Sequence, residues 1–291
     1  MPSPLNALPL LSRLQRAPDM HKGDAGKLVL IGGSPGMAGA ILLSAYGALY
    51  GGAGWVVIGM LDHQSAHALA DRPELMLKDI SQTPDAKQWL SKIQPDCIAI
   101  GPGLGQDQRA HDFLCAAIDH PTPLVIDADA LNILARSPAL QEALRTRHAP
   151  FVLTPHPGEA ARLLNLSSEA VQANRLGSLQ DLIRLYPGTI ILKGHHTLLG
   201  SPSSESLECQ DGNPAMASGG MGDVLTGLIG ALAAQGIRHN ISLWEATCLG
   251  VQLHARASDQ LVSAGIGPIG LTALELAQRL AEEIRSSINQ T

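Results

Sequence analysis

The sequence predicts an α/β domain: one mostly parallel sheet with helices on both faces. Three observations carry the prediction. Short apolar runs recur without interruption, as strands buried on both faces of a sheet do. Helix-length segments separate those runs, which implies right-handed βαβ units. Glycine-rich or charged stretches follow the runs directly, and an open parallel sheet collects its ligands at the carboxyl ends of its strands.

In chain order, residues 1–20 are rich in Pro and Leu. They read as an arm that packs on the body or on a neighbouring subunit, ahead of one domain over 21–291. The strands are predicted at 27–31, 55–58, 97–100, 124–126, 151–153 and 189–192, each an apolar run. Helices are predicted at 38–50, 108–118, 137–145 and 158–164, with a mainly helical last third over 222–235, 243–259 and 270–288. No internal repeat or long linker divides the chain.

Composition narrows the function. Charged residues make up 16% and hydrophobic residues 45%, an ordinary globular balance. The net charge of −6, without a basic run, points away from nucleic acid as a partner. Aromatic residues are only 3%, so base stacking on an aromatic platform is not expected. Cys97, Cys115, Cys209 and Cys248 are widely spaced and read as reduced, mostly buried thiols. The N-terminus lacks the pattern of a secretory signal. The longest weakly polar stretch, 224–234, is far short of the ~20 residues that span a bilayer. A cytoplasmic protein, not membrane-embedded, is the expectation.

The chemistry concentrates after the strands. In 212–229, Gly219, Gly220 and Gly222 precede a long apolar helix. Glycines let the backbone approach a ligand closely, and the free N–H groups of a first helical turn face an anion. A developing phosphoryl oxyanion would be stabilised there. Asp223 is out of place beside phosphate unless it works as a base on a substrate hydroxyl. Its bland alternative is a favourable charge at a helix start.

Other stretches are more ambiguous. The loops 32–39 and 101–105 could hold phosphate or merely turn the chain. Asp127 and Asp129 could orient a magnesium–phosphate group or cap the next helix. His156 and Glu159 sit in Thr-Pro-His-Pro-Gly-Glu, where two prolines restrict the histidine. Lys193, Gly194 and Thr197 could grip an adenosine phosphate. The adjacent His195 and His196, on an extended strand, would point to opposite faces and make a poor metal pair.

Taken together, the blocks HKGDAGKLVLIGGSPGMAGA (21–40), GGAGWV (51–56), PELM (73–76), GPGLG (101–105), DADALN (127–132), LTPHPGE (153–159), LKG (192–194) and GNPAMASGGMGDVLTG (212–227) resemble one family. It is the ADP/ATP-dependent NAD(P)H-hydrate dehydratases of the ribokinase-like superfamily, and the match covers nearly the whole chain from His21. The resemblance implies restoration of NADH or NADPH from the hydrated (S) form, with ADP converted to AMP and phosphate. ADP is expected over ATP, with Mg2+. It implies that Ala40, Gly103, His156 and Asp223 contact the hydrated dinucleotide, with Asp223 catalytic. Lys193, Gly194, His195, His196, Thr197 and Gly222 would contact the adenine nucleotide, and Glu159 would join the magnesium–phosphate network. The family often has smaller residues at the His195–His196 positions and Thr or Ser at Met221. A homotetramer working with a separate epimerase is a further expectation. The rival readings are a vitamin-precursor alcohol kinase of the same superfamily, disfavoured by LTPHPGE with HKGD and GPGLG, and a nucleotide-binding regulator without chemistry, disfavoured by Asp223.

Overall fold

A computed structural model describes residues 1–67 and 72–288. Ten strands form one sheet: β1 (Ser3–Pro4), β2 (Lys27–Gly32), β3 (Trp55–Met60), β4 (Met76–Asp79), β5 (Cys97–Ile100), β6 (Leu124–Ile126), β7 (Phe151–Leu153), β8 (Thr189–Leu192), β9 (Thr197–Ser201) and β10 (Ser204–Cys209). The helices are α1 (Ala38–Tyr50), α2 (Ala86–Ile93), α3 (Gln108–Asp119), α4 (Ala128–Arg136), α5 (Pro138–Arg145), α6 (Pro157–Leu164), α7 (Ser168–Ala173), α8 (Arg175–Leu185), α9 (Met221–His239), α10 (Leu243–Ser263) and α11 (Ala273–Ile288). The sheet order is β1-β10-β9-β8-β7-β6-β5-β2-β3-β4.

All neighbours from β8 to β4 run parallel, while β9 and β10 add an antiparallel hairpin beside β8. The predicted mostly parallel α/β fold is therefore the observed one. Within β2, Leu28 and Leu30 join a core shared with α1, α9, α10 and α11. Val29 and Ile31 face a second core that includes residues of α3 to α6 and α8. Two cores on opposite faces explain why this strand carries no polar residue after Lys27.

Helix α9 is buried along 14 of its positions, including the whole run from Val224 to Gly236. That explains the sequence's longest apolar stretch as a central packed helix; no helix among the described residues is long and apolar enough to cross a membrane. Residues 8–14 form a 3₁₀ turn with Leu11 and Leu14 buried, and the Ala7 N–H donates to Gln252 Oε1 on α10 at 2.7 Å. The four cysteines are free.

Chain direction across the sheet reverses between β2 and β5. From β2 the chain steps outward to β3 and β4, and from β5 it steps the other way to β6, β7 and β8. Such a switch point opens a crevice at the carboxyl ends of its strands. The loops that follow β2 and β5 lie there.

Candidate active site

The two loops at the switch point are locked together. Gly33 N–H donates to Pro102 C=O at 3.2 Å, and Ser34 N–H donates to Gly103 C=O at 2.7 Å. Gly103 has φ +57°, and a Cβ there would fall 2.4 Å from Met37 O and 3.3 Å from the Cβ of Ala40. Close backbone approach therefore accounts for this glycine and brings Ala40 and Gly103 side by side. One loop is tied to the next strand end as well, because Gly105 N–H donates to Asp129 Oδ2 at 3.0 Å.

Ser44 continues the chain of contacts from α1 to α9. Its hydroxyl donates to the Asp223 carbonyl at 2.8 Å, and Ala40 O lies 3.4 Å from the same oxygen. Helix α9 begins at Gly220, whose φ of +88° turns the chain into the helix. Its first intrahelical donor is Val224 N–H, to Gly220 C=O at 3.0 Å. The N–H groups of Met221, Gly222 and Asp223 precede that bond and point out of the helix end, as a first turn requires. Ala217, Ser218 and Gly219 are exposed immediately before it.

Beneath this turn lies a buried charge cluster. Lys193 Nζ donates to Asp127 Oδ1 at 2.7 Å and stands 4.0 Å from Glu159 Oε2. Asp127 also accepts from Thr154 Oγ1 at 2.6 Å and from Thr226 Oγ1 at 2.7 Å. Asp127 occupies the N-cap position of α4 but makes no side-chain cap bond. Of the two sequence readings for this residue, capping is therefore not what its side chain does. Gly222 sits directly over the pair: a Cβ there would lie 3.3 Å from Lys193 Nζ.

Burial and neighbouring charge set the protonation of this cluster. Burial pushes Asp223 up to about 7, reinforced by Asp127, Glu159 and Asp129 and opposed by Lys193. Burial likewise pushes Glu159 up to about 7, against the pull of Lys193. Burial also works against the charge of Asp127, yet the Lys193 ammonium and the two threonine hydroxyls hold its carboxyl below the usual range. Lys193 moves upward: burial opposes its charge, but Asp127 and Glu159 outweigh that cost. The cluster thus holds one fixed ion pair and two carboxyls that can gain or lose a proton near neutrality.

His156 is an N-cap residue. Its Nδ1 accepts from Gly158 N–H at 3.0 Å and Glu159 N–H at 3.4 Å, while Glu159 Oε2 accepts from His156 N–H at 2.8 Å. This reciprocal capping box starts α6 and fixes the imidazole tautomer, with its proton on Nε2, 3.3 Å from Glu159 Oε1. Burial followed by Lys193 lowers the pKa of His156. With Nδ1 engaged in the cap, Nε2 is the ring nitrogen left for a ligand, in competition with Glu159 Oε1.

The turn after β8 departs from the sequence reading. His195 and His196 are not on an extended strand: β8 ends at Leu192, β9 starts at Thr197, and His196 has φ +52°. The rings therefore do not point to opposite faces but stack at 4.0 Å with an interplanar angle of 21°. Arg175 at the start of α8 holds the turn, donating to the carbonyls of Leu192 at 3.1 Å, His196 at 3.1 Å and His195. Thr197 Oγ1 donates back to Gly194 C=O at 3.1 Å. No local pattern in the sequence ties Arg175 to a turn eighteen residues later.

Ala40, Gly103, Asp223, Gly222, Lys193, Glu159 and His156 thus join through direct contacts at one edge of the sheet. Gly194, His195, His196 and Thr197 form the adjoining turn, with Lys193 as its first residue. The motif reading did not single out Thr226 or Ser44 as site residues.

Comparison with known proteins gives this arrangement a family. Residues 28–282 match the family model described as NAD(P)H-hydrate dehydratase. A bifunctional NAD(P)H-hydrate repair enzyme from Coxiella burnetii is 40% identical over 272 residues, covering 94% of this chain and 52% of that protein. A similar bifunctional repair enzyme from Escherichia coli is 38% identical, with 50% of it covered. The chain therefore spans about half the length of these two curated relatives. The ADP-dependent (S)-NAD(P)H-hydrate dehydratase of Neisseria meningitidis is 39% identical over 269 residues, covering 90% of this chain and 86% of that one. Among solved structures, the ADP/ATP-dependent NAD(P)H-hydrate dehydratase of Bacillus subtilis, co-crystallised with ATP/Mg2+, superposes with a TM-score of 0.84. It is 26% identical, and 99% of each chain is covered. With the family model spanning residues 28–282, which include the α9 turn and the loops at the switch point, the chain belongs to the NAD(P)H-hydrate dehydratase family.

Proposed function

We propose that this chain is an ADP-dependent (S)-NAD(P)H-hydrate dehydratase, a hydro-lyase that repairs hydrated NADH and NADPH. The observation that carries the reading is Asp223: a carboxyl raised to about 7, at the mouth of a glycine-rich helix start, above a partly buried lysine. A base works best with a pKa near the operating pH. Asp223 takes the proton from the ring hydroxyl as its oxygen attacks the terminal phosphorus of the nucleotide, breaking the bond to the departing AMP. The N–H groups of the α9 turn and Lys193 stabilise the charge that builds on the phosphoryl oxygens. Phosphate then leaves the ring carbon as the neighbouring carbon gives up a proton to the departing phosphate or to water, and the freed C–H pair closes the ring double bond that restores the reduced nicotinamide.

Ala40, Gly103 and the Nε2 edge of His156 are assigned to the hydrated dinucleotide. Lys193, Gly194, His195, His196, Thr197 and Gly222 are assigned to the adenine nucleotide. Mg2+ fits this donor set best when carried by the nucleotide phosphates, where it would neutralise their charge. Both oxygens of Asp127 are already occupied, and Glu159 Oε2 takes the His156 N–H. Glu159 would accordingly meet the ion through its Oε1 or a water.

The reading extends to a cytoplasmic setting, supported by four unpaired thiols, and to a homotetramer, supported by the family resemblance and checked by light scattering. The test of function is recovery of the reduced-nicotinamide absorbance from hydrated NADH with magnesium and ADP, with ATP and nucleotide-free arms in parallel. Nucleotide-dependent recovery supports the dehydratase and names its phosphoryl donor; no recovery from folded protein overturns it.

A further inference from the structure

Both ends of the segment that carries the anion-facing turn are gripped by side chains of α10. At the start, Gly212 N–H donates to Asp259 Oδ2 at 2.8 Å. Asn213 Nδ2 donates to Asp259 Oδ1 at 2.8 Å and to Ser258 Oγ at 3.0 Å. Asn213 in turn accepts the Ala215 N–H at 3.0 Å, which shapes the 3₁₀ turn Pro214–Met216. At the far end, His254 Nε2 lies 2.9 Å from the carbonyl of Met221, the first residue of α9. A carbonyl only accepts, so Nε2 carries the proton.

His254 and Ser258 stand at i and i+4 on one face of α10, and Asp259 follows a further ~100° round the helix, so the helix reaches both ends of the segment from neighbouring faces. Between the two grips, Ala217, Ser218 and Gly219 are exposed, and nothing lies within 4 Å of the Cβ that Gly219 lacks. The reactive middle is thus open, and its geometry is inherited from its ends. His254 is itself buried at 5% exposure, and burial pushes its pKa down to about 4, so the donor stays neutral across the working pH range.

We propose that α10 is a clamp that sets the register of the anion-facing turn, with His254 and Asp259 as positioning residues for phosphoryl transfer. The catalytic part of this inference rests on the dehydratase reading; the clamp itself rests on the hydrogen bonds. Misplacing a preorganised donor set by about 1 Å costs roughly 100-fold in rate while leaving ground-state binding less affected. His254→Leu and Asp259→Ala remove one grip each, and His254→Gln and Asp259→Asn keep part of it.

Amide hydrogen exchange over 214–224 is read first in each purified variant, followed by kcat and KM. His254→Leu is expected to exchange at least about tenfold faster in that segment, with kcat down by about tenfold or more. KM for hydrated NADH should stay within about threefold, and His254→Gln should recover most of the loss. If His254→Leu does not fold, the milder Asp259→Asn decides by the same two readouts. Unchanged protection of 214–224 in folded His254→Leu overturns the clamp. So does a Gln variant as impaired as the Leu variant, or a change confined to KM. A wild-type protein that turns over no hydrated cofactor sinks the dehydratase reading, while the exchange data still decide the clamp.

Discussion

Ser44 holds Asp223 from across a helix crossing: its hydroxyl donates to the Asp223 carbonyl at 2.8 Å, within a contact so close that Gly227 has no room for a methyl group. A Cβ at Gly227 would fall 1.7 Å from the Ser44 carbonyl oxygen, which is backbone and cannot step aside. The α1–α9 crossing thus fixes the axis on which the base is carried.

Two glycines of this helix should therefore respond oppositely. Gly227→Ala forces α1 and α9 apart and should cost about 3 kcal/mol or more, or prevent folding. Gly222→Ala meets the end of a lysine side chain at 3.3 Å and Asp127 Oδ2 at an ordinary contact distance of 3.9 Å, so its stability should stay within about 1 kcal/mol of wild type. Its methyl group stands over the anion-facing turn, and ADP affinity should fall by about tenfold. Thermal melts and calorimetric titration with ADP separate the two outcomes.

Asp223→Asn should retain nucleotide binding and lose turnover by about 100- to 10,000-fold, the range for removing a general base. The wild-type kcat/KM should rise with pH through about 7, where this carboxyl ionises. Stability should show the reverse trend. A carboxyl whose folded pKa lies above its unfolded value favours the fold below about pH 4 and loses that contribution as pH rises through about 7. Asp223→Asn should accordingly be more stable than wild type at pH 8, by about 2 kcal/mol, with the gap closing toward pH 4. An Asn variant that turns over normally removes Asp223 from its role.

Lys193→Met leaves the Asp127 carboxylate buried without its ion partner and should cost about 3–5 kcal/mol. Lys193 also holds down the pKa values of Asp223 and Glu159, so removing it should move the rising limb of the pH–rate profile to higher pH. Melts with chemical denaturant and a pH–rate profile of the residual activity check both parts.

At His156 the helix cap and any ligand contact use different ring nitrogens, so they can be separated. His156→Asn keeps a capping oxygen, and His156→Ala should be about 1 kcal/mol less stable than it. Both variants lose Nε2 and should raise KM for hydrated NADH similarly. A variant pair that differs in stability and also in KM would tie the substrate effect to the cap.

The central sheet was legible because its strands are buried on both faces. Cys97–Ile100, Leu124–Ile126, Phe151–Leu153 and Thr189–Leu192 appear in the sequence as uninterrupted apolar runs with the observed bounds. The outer strands were not. Apart from the buried Cys209, Ser204–Cys209 and Met76–Asp79 mix exposed and half-buried positions, so no apolar run announces them. Helix α8 was missed as well: Ser178, Leu179 and Leu182 are its only buried positions, a weak stripe.

The site was legible where chemistry and backbone coincide, as at Gly222 and Asp223. It was ambiguous at Asp127, whose place before a helix fits a cap equally well. Only the three-dimensional partners Lys193, Thr154 and Thr226 decide how its oxygens are used. His195 and His196 were misplaced because a turn held by a distant arginine leaves no periodic signal.

The shortest strand has a consequence for how copies of this protein coexist in solution. Ser3 and Pro4 lie alongside Leu207 and Glu208, and Leu5 N–H donates to Glu208 C=O at 2.8 Å. Without them β10 would present a bare row of donors and acceptors, an invitation to strand addition by another molecule. Pro4 has no N–H to offer outward, so the covering segment is a poor template in its turn. At the opposite margin, the charged Lys78 and Asp79 do the same duty. Both margins of the sheet are thus guarded against strand addition, and detachment of the Ser3–Pro4 segment should show as polymerisation.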